Sequence, residues 1–303
     1  MNSDRTRYIE IDVKSALNKV TSAQYPGMKW SLNPYRGCKH GCVYCYARYT
    51  HTFYDLDPDR DFTSIVFVKR NLPEALRADL RQASWQRERV SIGTATDPYQ
   101  PIEGRYRLTQ AALRILRDQL TPASLVTKNT MCLRDADLMA SLHRAAGFSL
   151  CISLITIDEA LARSLEPDVP SPGQRLRVVQ ELSRLGVPVH VAIAPIMPGL
   201  TDSEHQLRDL IQAIYDHGGR LGFHQTFKMY ADTRQTLFAW LERAHPHLLP
   251  WYRRVYGAAG NAPQAYERKL AARIARIHEA IAPTQVDFPP DPVEPAGQLS
   301  LGL

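Results

Sequence analysis

The chain has 303 residues and a mass of 34.3 kDa, long enough for one large domain or two modest ones around a sizeable core, which excludes a disulfide-stapled mini-protein. Hydrophobic residues make up 44% and charged residues 22%, a globular balance too apolar for a largely disordered chain. The net charge is +6, from 37 Lys and Arg against 31 Asp and Glu, and only eight of these cations are lysine. A polyanionic partner is permitted without being demanded.

Residues 1–28 read as an N-terminal extension that mixes charge with isolated apolar positions and carries no secretory signal. The most apolar stretch, Val187 to Leu200, is broken by Pro188, His190, Pro195 and Pro198 and is too short to span a membrane. A cytoplasmic protein is expected, with no membrane partner.

From there, β-branched runs alternate with helical patterns. Strands are predicted at Lys29 to Leu32, Ser64 to Lys69, Arg89 to Thr94, Ser124 to Lys128, Ser149 to Thr156, Val187 to Ile196 and Arg220 to Phe227. Helices are predicted between them: one capped by Asn71 and begun by Pro73, then Thr109 to Leu120, Asp135 to Ala146, Gly173 to Leu185 and Asp202 to His217. Such alternation implies an α/β fold with a parallel sheet and outer helices. About six strand–helix units fit an open, partial (β/α)6 TIM-like barrel over residues 29–230, with chemistry at the C-terminal ends of its strands. Residues 231–282 read as a helical cover, with Arg234 to Ala244, Pro246 to Tyr256 and Pro263 to Ala282 as its helices. Residues 283–303, with five prolines from Pro283 on, read as an extended tail.

Three of the five cysteines stand together as Cys38-x3-Cys42-x2-Cys45. In a reducing cytosol such a cluster is metal-binding or catalytic rather than disulfide-bonded. Structural zinc wants four protein ligands, and His40 or His51 is available as the fourth, so the spacing leaves a zinc-binding adaptor open. Three thiolates on a four-iron cluster instead leave one iron for an exogenous ligand. The remaining pair, Cys132 and Cys151, lie apart, and Cys151 reads as a small hydrophobe within its strand.

The cysteine spacing after a first strand resembles the radical S-adenosylmethionine (radical SAM) superfamily, and the string Ser31 to Arg48, SLNPYRGCKHGCVYCYAR, is similar to its spore photoproduct lyase, or DNA-repair photolyase-like, branch. The resemblance implies a [4Fe-4S] cluster on Cys38, Cys42 and Cys45, with the methionine of S-adenosylmethionine (SAM) on the open iron. It also implies reductive cleavage of SAM to a 5′-deoxyadenosyl radical, with an external electron donor. Candidate SAM contacts follow: Thr94, Thr96 and Asp97, where relatives carry a Gly-Gly-Glu-like segment that this chain lacks; Lys128, where the lyase branch pairs a lysine with the SAM carboxylate; Ser153 near the ribose; and Ala194, within the strand segment that lies along the adenine. Tyr44 and Tyr46 match the paired tyrosines of the lyases and are candidate catalytic residues, Tyr44 also as a SAM contact. The lyases keep a hydrogen-donating cysteine after their second barrel strand, and Ser91 to Asp97 contains none.

The tail ends in Gln298-Leu299-Ser300-Leu301-Gly302-Leu303, which resembles the motif by which bacterial repair factors dock on the DNA polymerase sliding clamp. Three functions are thus in view: a radical SAM enzyme acting on nucleic acid, such as a DNA lesion; one modifying a peptide, a tRNA or a small metabolite; and a zinc-binding adaptor.

Overall fold

The computed structural model describes residues 6–21, 27–257 and 260–282. Its strands, in chain order, are β1 (Arg7–Ile11), β2 (Leu17–Lys19), β3 (Trp30–Leu32), β4 (Tyr35–Arg36), β5 (Ile65–Lys69), β6 (Val90–Ile92), β7 (Ala123–Thr127), β8 (Phe148–Ser153), β9 (Val189–Ile196) and β10 (Arg220–Thr226). The sheet order is β10-β9-β8-β7-β6-β3-β2, parallel throughout except for β2 against β3. Its edges, β2 and β10, do not pair, so the expected six parallel strands form an open barrel.

Period-two alternation sets its two faces. Leu32, Ile92, Leu125, Leu150 and Val189 share one register row, all buried beneath the helices. On the opposite face Ser31, Ser91, Ser124 and Ser149 form one row, and Val126, Cys151 and His190 the next. A closed barrel fills this space with large branched side chains; the small residues here leave room inside it. Cys132 is wholly buried in the core, but Cys151 is only partly buried and lies on the inner face. It does not pack as the small hydrophobe its strand suggested.

One expected strand leaves the barrel. All of β5 is buried, as a central strand would be, yet it pairs with β1 and β4 in a separate three-stranded sheet. The N-terminal extension therefore contributes β1 to this sheet and β2 to the main one. Asn71 is at the N-cap position of helix Leu72–Leu80 but does not cap it with its side chain. That side chain instead accepts from the Val13 amide at 2.9 Å and donates to the Val13 carbonyl at 3.0 Å, joining the exits of β1 and β5.

After β10 come helices Ala231–Ala244, Leu249–Val255 and Gln264–Ile281. Leu237, Trp240, Tyr252 and Tyr256 from the first two and their junctions form one cluster with Cys42, Val43 and Tyr44. The cover thus closes over the cysteine loop. The third helix buries Leu270, Ile274 and Ile277 in the main core, alongside helix Glu204–Asp216. Among the described residues no helix is long and apolar enough to cross a membrane.

Lys69, at the end of β5, is buried, and among the described residues its ammonium has neither a hydrogen-bond nor an ion-pair partner. Burial, and next the charge of Arg36, pull its pKa down to about 8. The unfolded chain then binds the proton more tightly than the folded one, so the penalty is complete below about pH 8 and fades as pH rises into the ordinary lysine range. Lys69→Met is expected to raise the unfolding free energy by about 3 kcal/mol at neutral pH. Urea unfolding should show that gain disappearing near pH 11; an equal gain at both pH values contradicts it.

Candidate active site around the cysteine loop

The cysteine loop leaves β4 at Gly37, whose φ of +84° favours glycine and where a Cβ would stand 2.6 Å from the Ile65 carbonyl oxygen. Backbone and side-chain bonds from several segments then fix its course. The Cys38 amide donates to the Phe62 carbonyl at 3.2 Å and the Val43 amide to the Leu165 carbonyl at 3.0 Å. Thr96 Oγ1 and Gln100 Nε2 donate to the Gly37 carbonyl at 2.6 and 3.0 Å. Arg48 Nη2 holds the Cys42 carbonyl at 3.3 Å, and Thr233 Oγ1 the Cys45 carbonyl at 3.0 Å. Cys38 and Cys42 are buried and Cys45 is partly so.

Asp97, after β6, joins this loop to the next strand. Its Oδ1 accepts from the Tyr99 amide at 2.9 Å and Thr127 Oγ1 at 2.7 Å, its Oδ2 from the Lys128 amide at 2.8 Å, and His40 Nδ1 lies 3.3 Å from Oδ2. Burial alone would raise its carboxyl, but His40, the Lys128 amide and Thr127 hold it below the usual carboxylate range. The tautomer of His40 follows from its other neighbour. Asn129 Oδ1 accepts from the Met131 amide, so Asn129 Nδ2 donates to His40 Nε2 at 3.2 Å, which leaves the proton on Nδ1 for Asp97.

Beneath the loop lies a second buried group. Tyr44 donates its hydroxyl to Glu166 Oε1, while Arg175 Nη2 sits 2.7 Å from Glu166 Oε2 and Arg175 Nη1 donates to the Ser153 carbonyl at 2.9 Å. Burial works against the Glu166 carboxylate, yet Arg175, Lys128 and Tyr44 keep its pKa below the usual range. Lys128 Nζ lies 4.0 Å from Glu166 Oε1 and 5.7 Å from the centre of the Tyr44 ring. Its side chain is only 18% exposed, and among the described residues no acceptor lies within hydrogen-bond distance of the ammonium. Burial pulls Lys128 down, but Cys42, Glu166 and Cys45 together hold its pKa above the ordinary value. Burial pushes the Cys42 thiol up to about 12, and the Cys38 and Cys45 thiols up as well. Assembly of a metal centre must therefore displace their protons.

Most residues singled out in the sequence meet here. Tyr46 donates its hydroxyl to the Thr94 carbonyl, and Thr94 Oγ1 accepts from Asn33 Nδ2 at 3.1 Å. Thr96 and Asp97 direct their side chains to the loop and its supports. Ser153 ends β8 opposite Ala192, and Ala194 lies two residues further along β9. Glu166, Arg175, Gln100 and Asn33 carry no local signal; only the fold brings them to the loop. His40 had a signal, its place between two cysteines, but that suggested a ligand and not a bracket.

The two histidines differ in what they leave free: both ring nitrogens of His40 are engaged, whereas His51, fully buried between Phe62 and Phe67, donates from Nε2 to the Ile65 carbonyl at 2.9 Å and leaves Nδ1 without a partner among the described residues. Among the described residues no three His, Cys, Asp or Glu side chains gather closely enough for a single metal ion. Three thiols with no fourth protein ligand fit a cluster in which each thiolate takes a different iron.

The Glu166 and Arg175 pair yields a stability test. Glu166→Ala strands a buried guanidinium and is expected to cost about 3–5 kcal/mol. In urea unfolding, Glu166→Leu with Arg175→Met should lose far less; equal losses would show that the pair's charge does not matter.

The family model of the radical SAM superfamily matches residues 32–211. An uncharacterized protein of Mycobacterium tuberculosis is 39% identical over 278 residues, covering 90% of this chain and 81% of its own length. One of Methanocaldococcus jannaschii is 30% identical over 205 residues, covering 68% and 73%. Among solved structures, spore photoproduct lyase complexed with dinucleoside spore photoproduct is similar with a TM-score of 0.67 at 16% identity, covering 91% of this chain and 80% of that one. A mutant of the same lyase with bound AdoMet and dinucleoside spore photoproduct has a TM-score of 0.65 at 14% identity, covering 91% and 79%. At such identities the likeness is one of fold. The chain belongs to the radical SAM superfamily, and its cofactors are those of that family, a [4Fe-4S] cluster and SAM.

Proposed function

We propose that this radical SAM enzyme acts on nucleic acid, in the manner of a lesion-directed, photolyase-like lyase. Cys38, Cys42 and Cys45 would hold the cluster. When bound and reduced by an external electron donor, the cluster supplies cleavage of SAM to methionine and a 5′-deoxyadenosyl radical that takes a hydrogen atom from substrate. The observation that carries SAM binding is Lys128: a half-buried ammonium beside the cysteine loop with no acceptor in hydrogen-bond range among the described residues suits the SAM carboxylate. Ser153, at the end of β8, and Ala194, two residues before the end of β9, would flank the nucleoside. Thr94 offers the loop after β6, where Thr96 and Asp97 act through the cysteine loop that they hold. The two tyrosines divide: Tyr44 is buried against Lys128 and Glu166, whereas Tyr46 is 37% exposed and would meet the substrate.

Nucleic acid is favoured by the likeness to spore photoproduct lyase across 91% of this chain, since that protein is complexed with a dinucleoside photoproduct. The arginine-rich charge agrees. A peptide, tRNA or small-metabolite substrate has no comparable structural support, and a zinc adaptor is disfavoured by the match to the radical SAM family model and by the engagement of both His40 nitrogens. Residues Gln298, Leu299, Leu301 and Leu303, proposed to dock on a sliding clamp, lie outside the described residues.

Anaerobic reconstitution with iron and sulfide, then dithionite and SAM, should yield 5′-deoxyadenosine; none, with zinc retained, overturns the enzyme reading. Lys128→Ala is expected to raise KM for SAM about 10- to 100-fold, the equivalent of one charge-assisted hydrogen bond, and an unchanged KM removes Lys128 from the SAM site. Deleting Gln298 to Leu303 should abolish co-elution with a sliding clamp; unchanged co-elution, or none by the intact chain, removes that partner.

A further inference from the structure

The residue after Cys45 begins a 3-10 helix, Tyr46–Tyr54, and its outer side is unusually apolar for a surface. Tyr49 is 38% exposed, Phe53 66% and Tyr54 40%. Scattered exposed aromatics need no explanation, but a contiguous patch does. The rings form an ordered array: Tyr49 meets Phe53 edge-on at 5.7 Å, and the Arg36 guanidinium lies 5.6 Å from the Phe53 centroid and 4.8 Å from that of Tyr54. Tyr54 in turn stacks at 4.3 Å on Phe67 of β5.

The charge beside this array lacks an anionic partner. Among the described residues Arg36, half-buried, has no carboxylate; its Nη1 donates only to the Thr50 carbonyl, at 3.5 Å. The acidic turn that follows the helix does not pair with it. Asp57 Oδ1 accepts the Asp59 and Arg60 amides at 2.8 and 3.1 Å, Asp59 takes the Thr236 hydroxyl, and Asp61 pairs with Arg60 at 3.1 Å. Exposed ring faces and an unpaired guanidinium at one surface match the two chemistries that alternate along a single nucleic-acid strand, base and phosphate. An acidic peptide would answer the cation and leave the ring faces bare.

We propose that Tyr49, Phe53 and Tyr54, with Arg36 beside them, form a stacking platform for the unpaired bases of a nucleic-acid strand, leading it towards the cysteine loop. This rests on the nucleic-acid reading above and adds to it the surface that takes the strand. Stacking supplies affinity without reading sequence, so the platform accepts any base and the selectivity for a lesion lies deeper, at Tyr46 and the barrel mouth.

The test is fluorescence anisotropy of the reconstituted full-length enzyme with a labelled single-stranded oligothymidylate across a salt series. Y49A/F53A should weaken binding about 10- to 100-fold while leaving the salt slope unchanged, and Y49F/F53Y should bind as the wild type does. Both side chains are exposed, so melting temperature and SAM cleavage without oligonucleotide should not move. Arg36→Gln should reduce the slope of log K against log salt by about 0.7, the loss of one phosphate contact. Wild-type affinity in Y49A/F53A overturns the platform and leaves the nucleic-acid reading standing. No binding by the wild type even at low salt overturns both and assigns the patch to a protein partner.

Discussion

The buried carboxylate of Asp97 accepts hydrogen bonds from the end of β7 and from the turn at Tyr99, and faces the one histidine inside the cysteine loop. Remove it and the Tyr99 amide, the Thr127 hydroxyl, the Lys128 amide and the His40 imidazole lose their common acceptor in a buried place. The loop would keep its cysteines but lose its registration against β7, where Lys128 stands. A metal centre and the cation that addresses its ligand are thus placed relative to each other by one ionised side chain, in surroundings where an isolated carboxylate would be costly.

Glu166 does the same on the opposite side of the loop. It gathers Tyr44, Arg175 and Lys128, and Arg175 extends the connection to the end of β8 through the Ser153 carbonyl. Two cations and one carboxylate leave a net positive charge beside Cys42, which offsets part of what burial adds to its thiol and favours an anionic ligand. Small side chains on the inner sheet face complete the arrangement by leaving space where a sealed barrel would have none.

The parallel strands could be read from sequence because each is a short β-branched run between amphipathic helical patterns. Where the pattern was ambiguous, reading failed for a definable reason. β5 is buried on both faces, so its composition is that of a central strand whichever sheet it joins. β1 and β2 are short, polar and stabilised by long-range pairing. The cysteine spacing identified the loop, and strand ends located Thr94, Lys128 and Ser153. Glu166 and Arg175, by contrast, belong to a loop and a helix whose local patterns say nothing about a buried ion pair with Tyr44. Asn71 misleads on similar grounds: an asparagine before Pro73 looks like a cap, and only the neighbouring β1 shows that its amide is used elsewhere.

The tethers on the cysteine loop also bear on how the enzyme matures. Zinc fingers fold on their metal because nothing else orders the ligand-bearing segment. Here Phe62, Leu165, Thr96, Gln100 and Thr233 grip the backbone of the loop from outside. Each of these contacts takes the loop by its backbone and none passes through a cysteine sulfur, so loading iron would exchange thiol protons for metal without requiring these bonds to form anew.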